Sequence, residues 1–448
     1  MFVLPSDSTL RQKPFVFGVA TASFQIEGAN TADGRCESIW DRFCATPGKV
    51  LNGDDGSVAC DHYNRLEQDL DLIQELGVDA YRFSIAWPRI EPMPGQWNEA
   101  GFQFYERLID GLIARGIQPY LTLYHWDLPQ YLEDKGGWIN RETAYAFATY
   151  ANKVTERFGD KVVSYATFNE PLCSAFVGYR WGSHAPGYQD ERLAYQAAHH
   201  LLLAHGLALP SMRNNASNAQ HGIVLNFTPA YPLTDSEADK QAARFSELDG
   251  GDWFLHPLMT AEYPPEVVAA HTEFMPTQMP GDLAIIARPI DFIGVNYYTR
   301  CVIKAGDNGK PDVVEQSSPK TDIGWEIYPD ALTRLMSDMK IHYPNLPPIF
   351  ITENGAADNT EKVDGQVNDD MRTDYYQQHL LAVHNALADG ADIRGYFAWS
   401  LMDNFEWAYG YSQRFGIVHV DYATQQRTVK KSGQFWQAFL AARAATER

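Results

Sequence analysis

The sequence predicts an α/β protein, a single (β/α)8 barrel of the TIM type with long βα loops at its C-terminal face. Short apolar segments rich in β-formers recur along the whole chain, and a segment of helical period follows most of them. Eight strand–helix repeats make such a barrel, and right-handed crossovers between parallel strands favour its closure. Neither a Pro/Ser-rich linker nor a break in composition divides residues 1–448, which are predicted to form one domain.

The predicted strands are nearly continuous in apolar character, which is typical of strands buried on both faces of a sheet. Polar and helical segments separate them from one another. The eight strands are predicted at Phe15–Ala20, Ala80–Trp87, Pro119–His125, Tyr165–Asn169, Gly222–Phe227, Asp291–Tyr298, Ile349–Thr352 and Ile393–Ser400.

The predicted helices carry apolar residues every three to four positions. A glycine such as Gly77 follows several of them, as glycines do after a helix C-terminus. Long loops are expected near residues 28–60, 170–192 and 300–330, and the segment Gly306–Thr321 is the most polar of them. The helices are predicted at Leu66–Leu76, Phe102–Ala114, Thr143–Phe158, Leu193–Leu209, Ala238–Phe254, Ala331–Ile341, Tyr375–Leu387 and Phe435–Ala444.

Composition and charge exclude several classes of function. The formal net charge of −21 repels the phosphates of nucleic acids and the anionic surface of membranes, so neither is an expected partner. The chain has no apolar run of about 18 residues that could span a bilayer. Aromatic residues, among them 11 Trp and 24 Tyr, make up 13% of the chain, and aromatic faces are suited to stacking on the C–H faces of sugars.

The cysteines and histidines predict neither a disulfide framework nor a bound metal. The five cysteines are an odd and sparse set without a C-x-x-C pair, which favours a reducing, cytoplasmic setting. His199, His200 and His205 lack the spacing of a zinc helix, and the phosphate-loop and dinucleotide motifs are absent, so no cofactor is expected. The first residues, Met1–Lys13, lack the basic-then-apolar layout of a secretory signal.

Two glutamates stand at the ends of opposed strands, where the active sites of such barrels form. The motif T-F-N-E-P (residues 167–171) ends the fourth strand, and I-T-E-N-G (residues 351–355) ends the seventh. Cleavage of a glycosidic bond needs one carboxyl to protonate the leaving oxygen and another to supply charge or attack on the opposite face. A lone glutamate at a strand end is more often structural, whereas this pair predicts a glycosidase that works through Glu170 and Glu353.

Other residues near predicted strand ends have both a structural and a functional interpretation. Arg82 is a candidate for a buried ion pair that also supports the site. His125 alone would be a core histidine, but its place at the end of the third strand favours binding. Trp325 either lines the leaving-group side or packs within its own loop. Because neighbours on a strand face opposite ways, Tyr298 is assigned to the site and Tyr297 to the core.

Further motifs occur in the order found in one enzyme family. F-V-F-G-V-A-T-A-S-F-Q-I-E-G begins at Phe15, Y-R-F-S-I-A-W-P-R spans residues 81–89, and W-S-L-M-D-N-F-E-W spans residues 399–407. With the two glutamate motifs, the chain resembles a family 1 glycoside hydrolase, the family of the β-glucosidases, from about residue 14 to residue 440. The resemblance implies release of a terminal non-reducing β-D-glucosyl residue through a covalent glycosyl-enzyme, with retention of configuration and side activity on β-galactosides and β-fucosides.

The resemblance also implies a role for each candidate residue. Glu353 is expected to be the nucleophile and Glu170 the acid/base, with carboxyls about 5–5.5 Å apart as in retaining enzymes. Arg82 is expected to lower the pKa of Glu353, whose charge is expected to raise the pKa of Glu170. The residues expected to bind substrate are Gln25, His125, Trp126, Asn169, Asn296, Tyr298, Trp325, Trp399, Glu406, Trp407 and Phe415.

Glu406 separates two substrate classes within the resemblance. Relatives that act on 6-phosphorylated glycosides carry a Ser, Lys and Tyr cluster in this region, whereas a carboxylate there would repel phosphate. Small-molecule β-glucosides such as cellobiose and aryl glucosides are therefore the expected substrates. The alternatives are a 6-phospho-β-glucosidase and an inactive sugar-binding relative, which would have lost one of the two glutamates. Transglycosylation, the aglycone and the oligomeric state, a homo-oligomer included, stay open.

Overall fold

Eight parallel strands close into a barrel in the computed structural model, which describes residues 4–5, 7–307 and 309–445. The predicted (β/α)8 architecture is confirmed. The order of the strands around the barrel follows the chain, and the last pairs with the first, where Ala20 lies beside Trp399. The strands are β1 (Val16–Ala20), β2 (Ala80–Ser84), β3 (Gln118–Tyr124), β4 (Ser164–Asn169), β5 (Gln220–Phe227), β6 (Phe292–Tyr297), β7 (Ile349–Asn354) and β8 (Ile393–Trp399).

Helices occupy the connections between these strands. Several begin at a side-chain cap, such as Asn140, Asp190 and Ser236, each of which accepts a hydrogen bond from a backbone N–H of the first turn. A π-helix spans Cys173–Trp181. The α-helices of the described chain are Ser23–Ile26, Ile39–Ala45, Leu66–Leu76, Trp87–Ile90, Glu99–Ala114, Gln130–Glu133, Arg141–Phe158, Glu191–Asn215, Glu237–Leu248, Gly251–Thr260, Pro265–Ala270, Asp282–Ile286, Asp330–His342, Asp370–Ala388 and Lys431–Ala445.

Three sequence predictions of local structure were wrong. The helix predicted over Ala238–Phe254 is two helices, because the chain turns at Gly250, where the backbone leaves helical geometry. Trp87 does not extend β2 but begins a short helix. The polar segment Gly306–Thr321 is not a plain loop, because Pro311–Val313 pairs as a short strand with Cys301–Ala305.

Aromatic and small side chains fill the inside of the barrel. Tyr120, Phe292, Phe350 and Phe397 pack against one another in one buried cluster that also includes Trp399 near the mouth. A second and larger buried cluster lies between the strands and the surrounding helices. Because a filled interior leaves no pore, ligands have access to the strands from the ends of the barrel.

The register of pairing is irregular at the C-terminal ends of β4 and β7. The pairing of β4 with β5 shifts before Asn169, and the pairing of β7 with β6 shifts before Glu353. Such irregularities re-aim the side chains that follow them. Gly355 then passes β8 so closely that a Cβ there would lie 1.8 Å from the carbonyl oxygen of Trp399, so this position requires glycine.

A buried charge cluster fixes the loop that follows β8. The side chains of Asp403 and Lys430 are both fully buried, and the Lys430 ammonium donates to Asp403 Oδ1 at 2.7 Å. Arg414 donates to the other carboxylate oxygen at 2.6 Å. Burial, and next the charge of Arg372, lowers the pKa of Lys430 to about 8. Asp403 also accepts from the Gly416 N–H, so the cluster ties both ends of the loop together.

Lys430→Met should lower the free energy of unfolding by about 3 kcal/mol, because it leaves the buried Asp403 carboxylate with one cation fewer. Urea denaturation followed by circular dichroism measures this change. Lys431→Met is the matched control, since the neighbouring Lys431 makes an exposed pair with Asp370 and its loss should leave the urea midpoint nearly unchanged. Equal midpoints for the two variants would contradict the role given to the buried pair.

Candidate active site

Two buried carboxyl groups meet at the C-terminal mouth of the barrel. Glu170 directly follows β4 and Glu353 lies in β7, and their residues are only 6% and 3% exposed. The Asn296 side-chain amide donates to Glu170 Oε1 at 2.6 Å and to Asn169 Oδ1 at 3.1 Å. This amide thus links Glu170 to Asn169, the residue that precedes it.

Glu353 is held by a cation and a phenol. The Arg82 guanidinium donates to Oε1 at 2.9 Å, and the Tyr298 hydroxyl donates to Oε2 at 2.6 Å. Arg82 also donates to Asn169 Oδ1 at 2.6 Å, so one guanidinium orients a residue on each side of the mouth. Tyr297 faces away, and its hydroxyl donates to the Tyr328 carbonyl.

The surroundings raise the pKa of both glutamates. Burial, and next the charge of Glu353, raises the pKa of Glu170 to about 7, while Asn296 and Cys173 act in the opposite direction. Burial also raises the pKa of Glu353, and Arg82 and Tyr298 offset this only in part. As expected, the charge of Arg82 lowers the pKa of Glu353. Burial raises this pKa by more, so the net shift is upward. Since the cation contacts Glu353, this carboxyl ionises before Glu170.

Polar groups from two loops form the far side of the pocket. The Gln25 side-chain N–H donates to Asn404 Oδ1 at 3.0 Å and to the Phe405 carbonyl at 2.8 Å, and it lies 3.5 Å from Glu406 Oε2. The buried Gln25 Oε1 has no hydrogen-bond partner among the described residues. Burial, and next the charge of Glu353, raises the pKa of Glu406 to about 8, so near neutral pH this group offers a donor as well as an acceptor.

The hydrogen bonds around His125 define its tautomer. Asn169 Oδ1 accepts from both Arg82 and Asn296, so its Nδ2 faces His125 Nε2, which accepts at 3.1 Å. Burial, and next the charge of Arg82, lowers the pKa of His125 well below its ordinary value. The ring is therefore neutral and carries its proton on Nδ1, a buried atom without a partner among the described residues. Such a donor can hold a hydroxyl group of a ligand.

Aromatic rings form two walls of the pocket. On one side, Tyr298, Trp325 and Phe415 contact one another at centroid distances of 5.3 to 6.1 Å. On the other side, the His125 ring lies 5.9 Å from Trp399 and 5.8 Å from Trp407 in stacked orientations, and Trp126 lies 4.4 Å from Trp407. The Trp126 indole N–H donates to the Asn169 carbonyl. The residues that the sequence predicts for the site are thus brought to one mouth.

Three site residues have a left-handed backbone. The φ angles of Trp126, Glu170 and Trp407 are +78°, +47° and +48°, a region that residues other than glycine seldom adopt. Strained backbone of this kind is maintained when the surrounding packing over-determines it, and it clusters at functional sites. The barrel therefore directs these three side chains at a cost in local backbone energy.

Sequence reasoning missed two contacts of the site. The Cys173 thiol lies 3.1 Å from Glu170 Oε2. The disulfide and metal patterns of the cysteines do not predict this contact. The Cys173 N–H bonds to the Glu170 carbonyl across a turn of three residues, and this short separation in sequence is the signal that could have shown the contact. Asn404 is the second: its side-chain oxygen accepts a hydrogen bond from the Gln25 side-chain N–H, a role that its motif alone does not indicate.

A cavity of about 1210 Å³ lies among the helices Glu237–Leu248, Gly251–Thr260 and Asp330–His342, and neither Glu170 nor Glu353 lines it. It begins at Leu172 and Asn226, and Trp181 lies on its wall with half of its surface exposed. Among the residues that the structure describes, Gln25, Trp399 and Glu406 do not line it.

The described residues contain neither a cluster of metal ligands nor a membrane-spanning helix. Within 4–5, 7–307 and 309–445, no group of three His, Cys, Asp or Glu side chains could hold a metal ion. No helix in the same part of the chain is long and apolar enough to cross a bilayer. What the site offers is acid–base and covalent chemistry by carboxylates, the chemistry of barrel glycosidases.

Comparison with known proteins identifies the family to which the chain belongs. The model of glycosyl hydrolase family 1 matches residues 7–445. A β-glucosidase of Agrobacterium sp. is 50% identical, with 95% of this chain and 94% of that protein covered. A bifunctional β-D-glucosidase/β-D-fucosidase of Bifidobacterium breve is 44% identical over 97% of this chain and 98% of its own. A Thermotoga maritima family 1 glycoside hydrolase, solved with a cyclophellitol analogue that mimics a transition state, has a TM-score of 0.94 and 46% identity, covering 96% and 98%.

Fold and site together define a carboxylate-dependent barrel hydrolase. The chain belongs to glycosyl hydrolase family 1 and is a retaining glycosidase. The resemblance seen in the sequence motifs is thereby confirmed.

Tyr298→Phe should move the acidic limb of the kcat/KM profile to higher pH by about one unit, because it removes a donor from the ionised form of Glu353. The profile on a β-glycoside substrate measures the shift. Tyr297→Phe removes the neighbouring hydroxyl, which bonds to a carbonyl outside the site, and should leave the limb in place. An unchanged acidic limb in the Tyr298 variant would contradict the influence of this hydrogen bond on the ionisation of Glu353.

Proposed function

We propose that the protein is a retaining β-glucosidase in which Glu353 is the nucleophile and Glu170 the acid/base. One observation carries this assignment: of the two buried carboxyls, only that of Glu353 binds the Arg82 guanidinium, whereas that of Glu170 accepts from the neutral Asn296 amide. The group with the cation is suited to remain ionised and attack. The group without it is suited to keep a proton for the leaving oxygen.

In the first step, Glu353 attacks the anomeric carbon while Glu170 protonates the glycosidic oxygen. The transition state resembles an oxocarbenium ion and gains from the negative charge of Glu353 beneath it. Asn169, oriented by Arg82 and Asn296, is placed to bind the hydroxyl beside the anomeric carbon, a contact that strengthens as charge develops. The product of this step is a glycosyl ester of Glu353 and a free aglycone.

In the second step, Glu170 acts as a base. Formation of the ester removes the charge of Glu353, and this charge is the second cause of the raised pKa of Glu170. The pKa of Glu170 therefore falls when it must accept a proton from water. Water attacks from the face that the aglycone left, and two inversions give net retention of configuration. Another sugar can replace the water, which would give transglycosylation as a side reaction.

Glucose is the proposed glycone. Gln25 Oε1 and His125 Nδ1 offer buried polar atoms to its outer hydroxyls, the half-buried Glu406 adds its carboxyl, and Trp399 offers the ring on which it stacks. Sugars that differ at the fourth hydroxyl reach the same Gln25 and Glu406, so galactose and fucose are proposed as slower glycones. The bifunctional β-D-glucosidase/β-D-fucosidase of Bifidobacterium breve supports this breadth.

Cellobiose and aryl β-glucosides are the proposed substrates, with the leaving group on the side of Trp325, which contacts Tyr298. Action on cellobiose would give the enzyme a part in cellulose breakdown. A cytoplasmic location is proposed because all five cysteines are free thiols, which is usual in reducing compartments.

Glu353→Gly should lower kcat for an aryl β-glucoside by about 10³-fold or more, because the group that forms the covalent bond is gone. Added azide should restore turnover and yield the α-glucosyl azide, since one inversion replaces two. Product configuration by nuclear magnetic resonance and the initial rate are the measurements. A variant that keeps the wild-type rate would refute the assignment of the nucleophile.

A 6-phospho-β-glucosidase is disfavoured by the charges near Glu406. The cations that follow in the chain, Arg414 and Lys430, are already bound to Asp403. A phosphate at the sugar's sixth position would therefore meet a carboxyl instead of a free cation.

Unphosphorylated aryl β-glucoside should be preferred over its 6-phosphate by at least about 10²-fold in kcat/KM, because an unpaired charge would be buried with the phosphate. Glu406→Ala should lower kcat/KM for the glucoside by about tenfold or more through lost hydroxyl contacts. Glu406→Gln, which keeps a donor and an acceptor, is the control and should retain more activity. Faster turnover of the 6-phosphate by the wild-type enzyme would contradict the proposed glycone.

A further inference from the structure

The thiol of Cys173 lies directly on the proposed acid/base. Cys173 begins the π-helix after β4, three residues beyond Glu170, and its backbone N–H donates to the Glu170 carbonyl at 2.9 Å. Its Sγ lies 3.1 Å from Glu170 Oε2, within the range of an S–H···O hydrogen bond. The helix start therefore fixes the sulfur against one oxygen of the carboxyl.

The two oxygens of Glu170 have different partners. Oε1 accepts from the Asn296 amide at 2.6 Å, and an amide N–H cannot accept a proton in return. When Glu170 is neutral, its proton consequently sits on Oε2, beside the sulfur. A thiol can donate to Oε2 when the carboxyl is charged and accept from it when the carboxyl is protonated. Cys173 can thus hold the same rotamer of Glu170 in both states of the catalytic cycle.

The surroundings keep Cys173 as a thiol. Burial, and next the charge of Glu170, raises the pKa of Cys173 well above its ordinary value, so the S–H donor is retained. On the other side of the sulfur, Asn226 Nδ2 lies 4.0 Å from Sγ. A protonated thiol is also a weak nucleophile, which argues against a reactive role.

We propose that Cys173 is a positioning residue, whose S–H group holds Glu170 Oε2 in the orientation from which a proton passes to the glycosidic oxygen. The inference rests on the proposed function, because it gives Glu170 the part of the acid. It concerns only the proton transfer and leaves the attack by Glu353 untouched. The effect of removing the Cys173 thiol should therefore depend on how strongly the leaving group needs a proton.

Two substrates separate these steps. A 2,4-dinitrophenyl β-glucoside releases an anion that needs no proton, whereas an alkyl β-glucoside must be protonated as it leaves. Cys173→Ala should lower kcat/KM for the alkyl glucoside by about tenfold, the effect of one hydrogen bond to an ionisable group, and change the dinitrophenyl value less than about twofold. Cys173→Ser, which keeps a donor and acceptor, should recover most of the loss.

The pH profile provides a readout that packing alone would not move. The alkaline limb of kcat/KM reports the ionisation of Glu170, which is faced by Glu353, Arg82, Tyr298 and Glu406 as well as by Cys173. These other groups are unchanged in the variant. Loss of a donor to the charged form should move the limb of Cys173→Ala to higher pH, and Cys173→Ser should return it towards the wild-type position.

Cys36→Ala is the matched control, because Cys36 is also a half-buried free thiol but lies before the helix Ile39–Ala45. It should match the wild-type enzyme on both substrates. An equal loss on the two glucosides with an unmoved alkaline limb, or no loss on either, would overturn the role of Cys173. A wild-type enzyme that hydrolysed neither glucoside would instead overturn the proposed function, so the two failures are distinguishable.

Discussion

The site depends on a single guanidinium that serves a cluster of buried acids. Arg82 is 3% exposed and bonds both Glu353 and the Asn169 amide. Near it lie Glu170 and Glu353, and Glu406 lies at the far side of the pocket; burial raises the pKa of all three carboxyls, and the charge of Glu353 raises those of Glu170 and Glu406 further. Since one cation cannot neutralise three acids, the surplus charge is relieved by protonation. The protons that the chemistry requires are thus a consequence of the charge balance.

This balance requires that the acids cannot move apart. Each glutamate stands at the end of a strand whose pairing shifts just before it, and Glu170 also has a left-handed backbone. Like charges on a surface loop would move apart, whereas strands that are hydrogen-bonded on both sides hold them in place. The barrel thus supplies the rigidity on which electrostatic preorganisation depends.

The loop after β8 is fixed by a second set of charges that stays out of the pocket. Asp403 is paired with Lys430 and Arg414, and these pairs hold the segment that carries Asn404, Glu406 and Trp407. Because the two cations are used in this way, they are not offered to a ligand. The same arrangement therefore positions the sugar-binding groups and leaves phosphate without a partner.

The sequence by itself determined the barrel and the pair of glutamates, because strands buried on both faces must be apolar throughout and because barrel sites lie at strand ends. Only the tertiary structure decided the tautomer of His125 and the net pKa direction of Glu353. Each depends on the distance and burial of groups from different strands. It also decided the break at Gly250, where helical periodicity continues across a turn. Such properties arise from contacts distant in sequence, which the order of residues does not display.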